Sequence, residues 1–186
     1  MLKEIKPALL LFLVMLVITG VLYPIFVTGV ARVVFPEKAS GSLIEKDGII
    51  VGSELIGQQF SKPEYFHPRP SNAGIGYDSL ASGASNLAAT SDKLKADIAA
   101  RFEALSQENP GKKVPVDLLT SSASGLDPHI SVEAANFQVQ RIAKLRKLSE
   151  GEISKLVENN TEGRFLGIFG EQRVNVLKLN IALDSK

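Results

Sequence analysis

Residues 7–31 read Pro-Ala-Leu-Leu-Leu-Phe-Leu-Val-Met-Leu-Val-Ile-Thr-Gly-Val-Leu-Tyr-Pro-Ile-Phe-Val-Thr-Gly-Val-Ala, without one charged side chain. As a helix rising about 1.5 Å per residue this run is roughly 37 Å long, against a bilayer hydrocarbon core of roughly 30 Å. It is apolar on every side, which a surface helix of a soluble domain has no use for. A cleaved signal peptide is the alternative. Its apolar region would span about 7–15 residues and end at small residues. This run is longer, and Val30-Ala31-Arg32-Val33 is a poor cleavage site. The sequence therefore predicts a tail over 1–6, a transmembrane helix over 7–34, a linker over 35–42 and an extramembrane domain over 43–186.

Thr19-Gly20, Pro24 and Thr28-Gly29 interrupt the apolar run. Pro24 removes a backbone donor and is expected to kink the helix. Small residues admit a neighbouring helix closely, so Thr19, Gly20 and Pro24 are candidate partner contacts, although Gly and Pro are also common in membrane helices generally. Lys3 and Lys6 precede the helix while Arg32, Lys38 and Lys46 follow it. The positive-inside count does not choose an orientation.

Composition narrows the remainder. The chain has 186 residues, no Cys, two His and a formal net charge of +1. Disulfides, thiolate–zinc sites and Cys nucleophiles are excluded, and a nucleic-acid role lacks a basic footprint. Some 150 residues outside the membrane suffice for one core without staples.

Within that domain Gly48–Gly52 is expected to be a strand piece bounded by turn residues, with Leu55, Ile56 and Phe60 as further core positions. Ser61–Thr90 keeps neither helix nor strand period. It begins with Pro63-Glu64-Tyr65-Phe66-His67-Pro68-Arg69-Pro70 and continues through small polar residues. Loops this long inside a domain tend to be functional. Thr90 or Ser91 should cap a helix burying Leu94, Ile98, Phe102 and Leu105. Val114–Leu119 is expected to be extended, and Thr120–Ser131 a second loop. Ser131 should cap a helix burying Ala134, Ala135, Val139, Ile142, Ala143, Leu145 and Leu148. Ser149 and Glu152 form a capping box for a short helix through Val157. Leu177, Leu179, Ile181 and Leu183 alternate with Lys178 and Asn180, which predicts a half-buried strand. Strands at both ends with helices between define an α+β domain.

No motif supplies a catalytic centre. Ser124, Asp127 and His129 share a loop, but triads are assembled from separate segments, and Asp and His two apart seldom face each other. A capping Asp127 or Ser131, with His129 bonded to backbone, explains them as well. Two His without H-E-x-x-H spacing predict no metal site. Gly74-Ile75-Gly76 and Gly111-Lys112-Lys113 lack the spacing of nucleotide loops, and Leu80-Ala81-Ser82-Gly83-Ala84-Ser85 echoes an ABC-transporter signature only by composition.

Taken in order, Leu55-Ile56-Gly57-Gln58-Gln59-Phe60, Tyr65–Ser71, Ser82–Leu87, Val114–Thr120, Ser124–Ser131 and Gly170–Leu177, behind one membrane helix, resemble the C-subunit family of the bacterial Kdp potassium-transporting ATPase. Ala84, Ala123, Ala88-Ala89 and Gln172 depart from the family pattern at loop positions. The resemblance implies a non-catalytic subunit that assembles with a P-type ATPase subunit and a channel-like, potassium-binding subunit. It implies a catalytic-chaperone role that raises the ATP affinity of the pump subunit. It places the N-terminus in the cytoplasm, the domain in the periplasm and the chain in the inner membrane. No cofactor is implied for this chain, since ATP would enter only through the ATPase subunit. Tyr65, Arg69, Asp127 and His129 join Thr19, Gly20 and Pro24 as candidate partner contacts. The rival reading is a membrane-anchored periplasmic hydrolase or sensor using the Asp127/His129 loop.

Overall fold

The structure, a computed structural model, describes residues 2–186 and divides into two compact units, Met1–Val51 and Gly52–Lys186. In the first, α1 (Leu2–Val17), a π turn (Ile18–Leu22) and α2 (Tyr23–Val34) run without interruption. Together they form one helix long and apolar enough to cross a membrane. Pro24 explains the π turn. Its ring would collide with the Gly20 carbonyl and it has no N–H to give it. A wider turn accommodates this, with the Tyr23 N–H reaching back to Ile18 O. The expected disturbance at Pro24 therefore takes the form of a π bulge one turn before it. Thr19 Oγ1 is satisfied within the helix by Met15 O at 2.7 Å.

Phe35 leaves the helix, and the stretch expected to be linker contains one helical turn, α3 (Pro36–Ala39). A hairpin follows, β1 (Leu43–Lys46) and β2 (Ile49–Ser53). Asp47 and Gly48 both have positive φ at its tip, as a two-residue Asp-Gly hairpin loop requires.

The second unit is α+β. Its helices are α4 (Asp92–Glu108), α5 (Val116–Leu119), α6 (Val132–Arg146), α7 (Glu150–Asn159) and α8 (Val176–Leu183). Three short strands, β3 (His129–Ile130), β4 (Thr161–Glu162) and β5 (Arg173–Asn175), make an antiparallel sheet in the order β3-β5-β4. The register pairs Ile130 and Thr161 with Val174. Ala134, Ile142, Ile153, Val157, Val174, Leu179, Leu183 and the ring of Phe66 fill the core.

The helix starts follow their caps. Ser91 and Ser131 accept from the N–H groups of Leu94 and Ala134, and Ser149 with Glu152 completes a reciprocal capping box. Elsewhere packing overrules local pattern. The C-terminal Leu177–Leu183 is helix α8, not strand. Asn175 begins it by accepting from the Lys178 N–H at 3.1 Å, and Asn180 is buried instead of facing water. Val114–Leu119 is extended only to Pro115, then turns once as α5 and buries Leu118. In α4 no residue is buried; Phe102 is exposed. Arg101 fixes α4 to α5 through Leu119 O at 2.8 Å. Leu55, Ile56 and Leu145 are exposed, whereas Phe60 and Leu148 pack against the core.

Residues 54–91 contain no helix or strand, yet part of this loop is core. Five successive carbonyls, Pro63 to His67, accept from side chains. Arg141 donates to Pro63 O and to Tyr65 O at 3.0 Å, and Arg146 to Glu64 O at 3.3 Å. Asn180 Nδ2 donates to Phe66 O and Gln138 Nε2 to His67 O, both at 3.0 Å. The same two amides accept in return, Asn180 Oδ1 from Phe66 N–H at 2.9 Å and Gln138 Oε1 from His67 N–H at 2.7 Å. Buried peptide groups need partners, and here side chains take the place of a neighbouring strand.

Asn180→Ala removes both bonds to Phe66 and strands two buried peptide groups. A buried unpaired group costs about 1–3 kcal/mol, so the substitution is expected to destabilise the domain by about 2–4 kcal/mol. Urea unfolding of the detergent-solubilised full chain measures it; a loss below about 1 kcal/mol would show the clamp to be dispensable.

Candidate functional site

The two loops that defeat periodicity form one structure. Gly57 N–H donates to Leu126 O at 2.8 Å, and Gly83 N–H to Ser124 O at 2.9 Å. Ser71 Oγ donates to Gly125 O at 2.6 Å, Ser82 Oγ to Ser124 O at 2.9 Å and Ser121 Oγ to Asn72 Oδ1 at 3.0 Å. Small residues are required where the loops touch. A Cβ on Gly57 would lie 2.5 Å from Asp127 O. Gly125 has φ +68°, and a Cβ there would meet Ala73 N and Gly83 O at 2.6 Å. Ser82 and Gly83 thus serve loop-to-loop packing, which accounts for the signature-like stretch without a phosphate.

At one edge of this platform stand Arg69, Asp127 and His129. Arg69 Nη1 lies 3.3 Å from Asp127 Oδ2, and Tyr77 Oη donates to Arg69 O. Asp127 Oδ1 accepts from the His129 N–H at 3.0 Å. The His129 ring lies between two acids, Nδ1 3.6 Å from Asp127 and Nε2 3.7 Å from Glu162. Asp127 and His129, two residues apart, therefore do face each other, contrary to the usual expectation, and the ring meets carboxylates instead of backbone. Glu162 also pairs with Arg173 at 2.9 Å. Arg69, Asp127, His129 and Arg173 line a broad cleft of about 1380 Å³ with Lys112, Lys113, Phe165 and Phe169. Of the residues singled out in the sequence, Tyr65 is not part of this group. It stacks under Arg146 at 4.7 Å and donates to Asp184 at 3.1 Å. Thr19, Gly20 and Pro24 belong to the helical unit.

The charge states follow from these neighbours. Burial alone would raise the Asp127 pKa, but the His129 ring and N–H and the Arg69 guanidinium outweigh it and hold the carboxyl below its ordinary value. Glu162 is likewise pushed up by burial and brought below its usual range by Arg173, His129 and Lys178. Burial raises Tyr77 strongly, helped by Asp127 and opposed by Arg69. His67 is lowered by burial and by Arg141, and its Nε2 donates to Lys62 O at 3.1 Å, so the neutral ring fits its site.

A hydrolytic triad needs one imidazole nitrogen on the nucleophile and the other on the orienting acid. Here both nitrogens face acids. Ser124 Oγ is held by the Leu126 N–H at 3.1 Å, and Ser131 Oγ is committed to Asp117 at 3.1 Å and to capping α6. Among the described residues no cluster of three or more His, Cys, Asp or Glu could hold a metal ion. Arg141, Arg146, Gln138 and Asn180, which build the platform's foundations, carry no motif that a sequence reading would select.

Fold and site together define a mixed α/β domain that follows a single apolar N-terminal helix long enough to cross a membrane. Comparison with known proteins gives the family: the model of the K+-transporting ATPase c chain matches residues 5–185. Similar proteins include the potassium-transporting ATPase KdpC subunits of Rhodospirillum rubrum and Bradyrhizobium diazoefficiens. The first is 53% identical, covering 100% of this chain and 97% of the relative. The second is 51% identical, covering 99% and 98%. The KdpC subunit of Mycobacterium tuberculosis H37Rv is 50% identical, with 98% of each covered. The chain belongs to this family. It is an accessory component of potassium transport and not itself an enzyme.

Lowered carboxyl pKa values contribute stability that is complete above the unfolded carboxylate range, about 4, and is lost as pH falls through the lower folded values. Lowered His67 contributes stability that is complete above about 6.5 and is lost as pH falls toward its folded value. Asp127→Asn is expected to flatten the acid limb of a stability–pH curve, and His67→Gln the segment just below about 6.5. Urea midpoints of the full chain across pH measure both; unchanged slopes would contradict the charge assignments.

Proposed function

We propose that this chain joins a P-type ATPase subunit and a channel-like potassium-binding subunit into one ATP-driven uptake complex in the inner membrane. It stabilises their assembly and raises the ATP affinity of the pump subunit, with its N-terminus in the cytoplasm and its domain in the periplasm. The family supports the subunit role, since its described relatives are named as subunits of a potassium-transporting ATPase.

The observation that carries the reading is the bare helix. Residues 3–30 are exposed without exception, and nothing lies within 4 Å of where a Cβ would stand on Gly20 or Gly29. Without an apolar driving force, membrane helices associate by close backbone packing at such residues. Gly20 sits in the π turn set by Pro24, so Thr19, Gly20 and Pro24 form the helix contact. Arg69, Asp127 and His129 form a second contact on the domain, and Tyr65 a third, separate one.

A periplasmic domain cannot touch cytoplasmic ATP. Coupling therefore runs through helix packing, which need differ between pump states by only about 1–3 kcal/mol. Gly20→Leu fills the open position without a clash inside this chain. It is expected to reduce recovery of both partners by roughly tenfold, about 1.4 kcal/mol, in a mild-detergent pull-down read by mass spectrometry. Undiminished recovery together with unchanged ATP dependence would refute the helix route. Recovery of the wild-type chain alone would refute the subunit role and favour an anchored sensor.

A further inference from the structure

Between β4 and β5 the chain makes a second, smaller hairpin, Arg164-Phe165-Leu166-Gly167-Ile168-Phe169-Gly170-Glu171, closed by a bridge between Phe165 and Phe169. Its tip is apolar and turned outward. Phe165, Leu166, Ile168 and Phe169 are 71, 74, 73 and 62% exposed. Single exposed apolar side chains are ordinary, but four in five successive residues are not. Leu166 and Gly167 are held with φ +53° and +75°, so the tip is a defined turn.

We infer that this tip dips into the headgroup–acyl boundary of the bilayer that the N-terminal helix crosses, an inference that rests on reading that helix as membrane-spanning. Three features favour lipid over a protein pocket. First, the tip pairs most of its own N–H groups. Phe165 and Phe169 exchange N–H···O bonds at 2.9 Å, Gly167 N–H donates to Arg164 O at 3.0 Å and Ile168 N–H to Phe165 O at 3.2 Å. Internal N–H pairing of this kind lowers the cost of moving backbone toward an apolar medium. Second, the base of the tip is neutral. Arg164 and Glu171 pair at 2.7 Å, where a tip entering the interface by about 5–10 Å would place them among headgroups. Third, Leu166 and Ile168 project outside the cleft that Phe165 and Phe169 help to line, and insertion into lipid needs no matching surface. Tethering keeps the bilayer available. Only residues 35–51 separate α2 from this unit, at most roughly 60 Å of extended chain, so a weak contact is made repeatedly.

The absence of native Cys permits single nitroxide labels. Three variants of the full chain, Leu166→Cys, Leu80→Cys and Met15→Cys, would be labelled in nanodiscs of phosphatidylethanolamine and phosphatidylglycerol. Accessibility to oxygen, which concentrates in lipid, is compared with accessibility to a water-soluble nickel chelate. The oxygen-to-nickel ratio is expected to be several-fold higher at position 166 than at position 80, whose side chain is exposed, and to approach that at position 15. Equal ratios at 166 and 80, with 15 in lipid, would overturn the inference while leaving the helix reading intact. A water-exposed label at 15 would overturn both. Repeating the measurement in the assembled complex, protection of position 166 from both reagents would assign the tip to a protein pocket and overturn the lipid contact.

Discussion

Five consecutive carbonyls with side-chain partners are the constraint on which the domain depends. Pro63 to His67, a turn at Pro63–Glu64 followed by irregular chain, are held by α6 and α8 without a neighbouring strand. Arg141, Arg146, Gln138 and Asn180 supply what a strand would. The two amides are suited to this because each offers a donor and an acceptor side by side, matching the N–H and C=O of one residue. With Phe66 fixed in the core, Arg69 and Ser71 a few residues on are delivered to the second loop, where Asp127 and Gly125 receive them.

That arrangement lets a domain made largely of loops hold a rigid surface. Its sheet is small, with strands of two or three residues, and could not order a loop of this length alone. Gly57 and Gly125 let backbones meet at distances that any side chain would prevent, and short serine bonds close the seam. The charged edge of Arg69, Asp127, His129 and Glu162 is then fixed in place without the geometry of a catalyst. Asp127, His129 and Glu162 are matched with one another and with Arg69 and Arg173, while Arg69 Nε is buried with no partner among the described residues.

The sequence makes much of this legible, and the failures have physical causes. The membrane helix is evident from the absence of charge over residues 7–31, and α6 and α7 from serine caps followed by a 3.6 period. Helix α8 is misread as strand because Val176–Leu183 is apolar at six of eight positions. So full a run fits either period, and the deciding signal is the Asn175 cap. Asn180 is expected at the surface because an isolated amide there has no visible use. Its partner, Phe66, lies 114 residues away. The ordered motifs point to the family, and the structure shows that four of those six segments meet at the two-loop seam. Their small residues lack a period because they satisfy contacts across the fold and not along the chain.

Native-state hydrogen exchange at Phe66 and His67 tests the account most directly. Both N–H groups belong to a segment with no helix or strand, yet both are bound by buried amides. They are predicted to exchange only through global unfolding of the domain, as slowly as the central amides of α6. Exchange at the rate of an ordinary mobile loop, with α6 still protected, would contradict it.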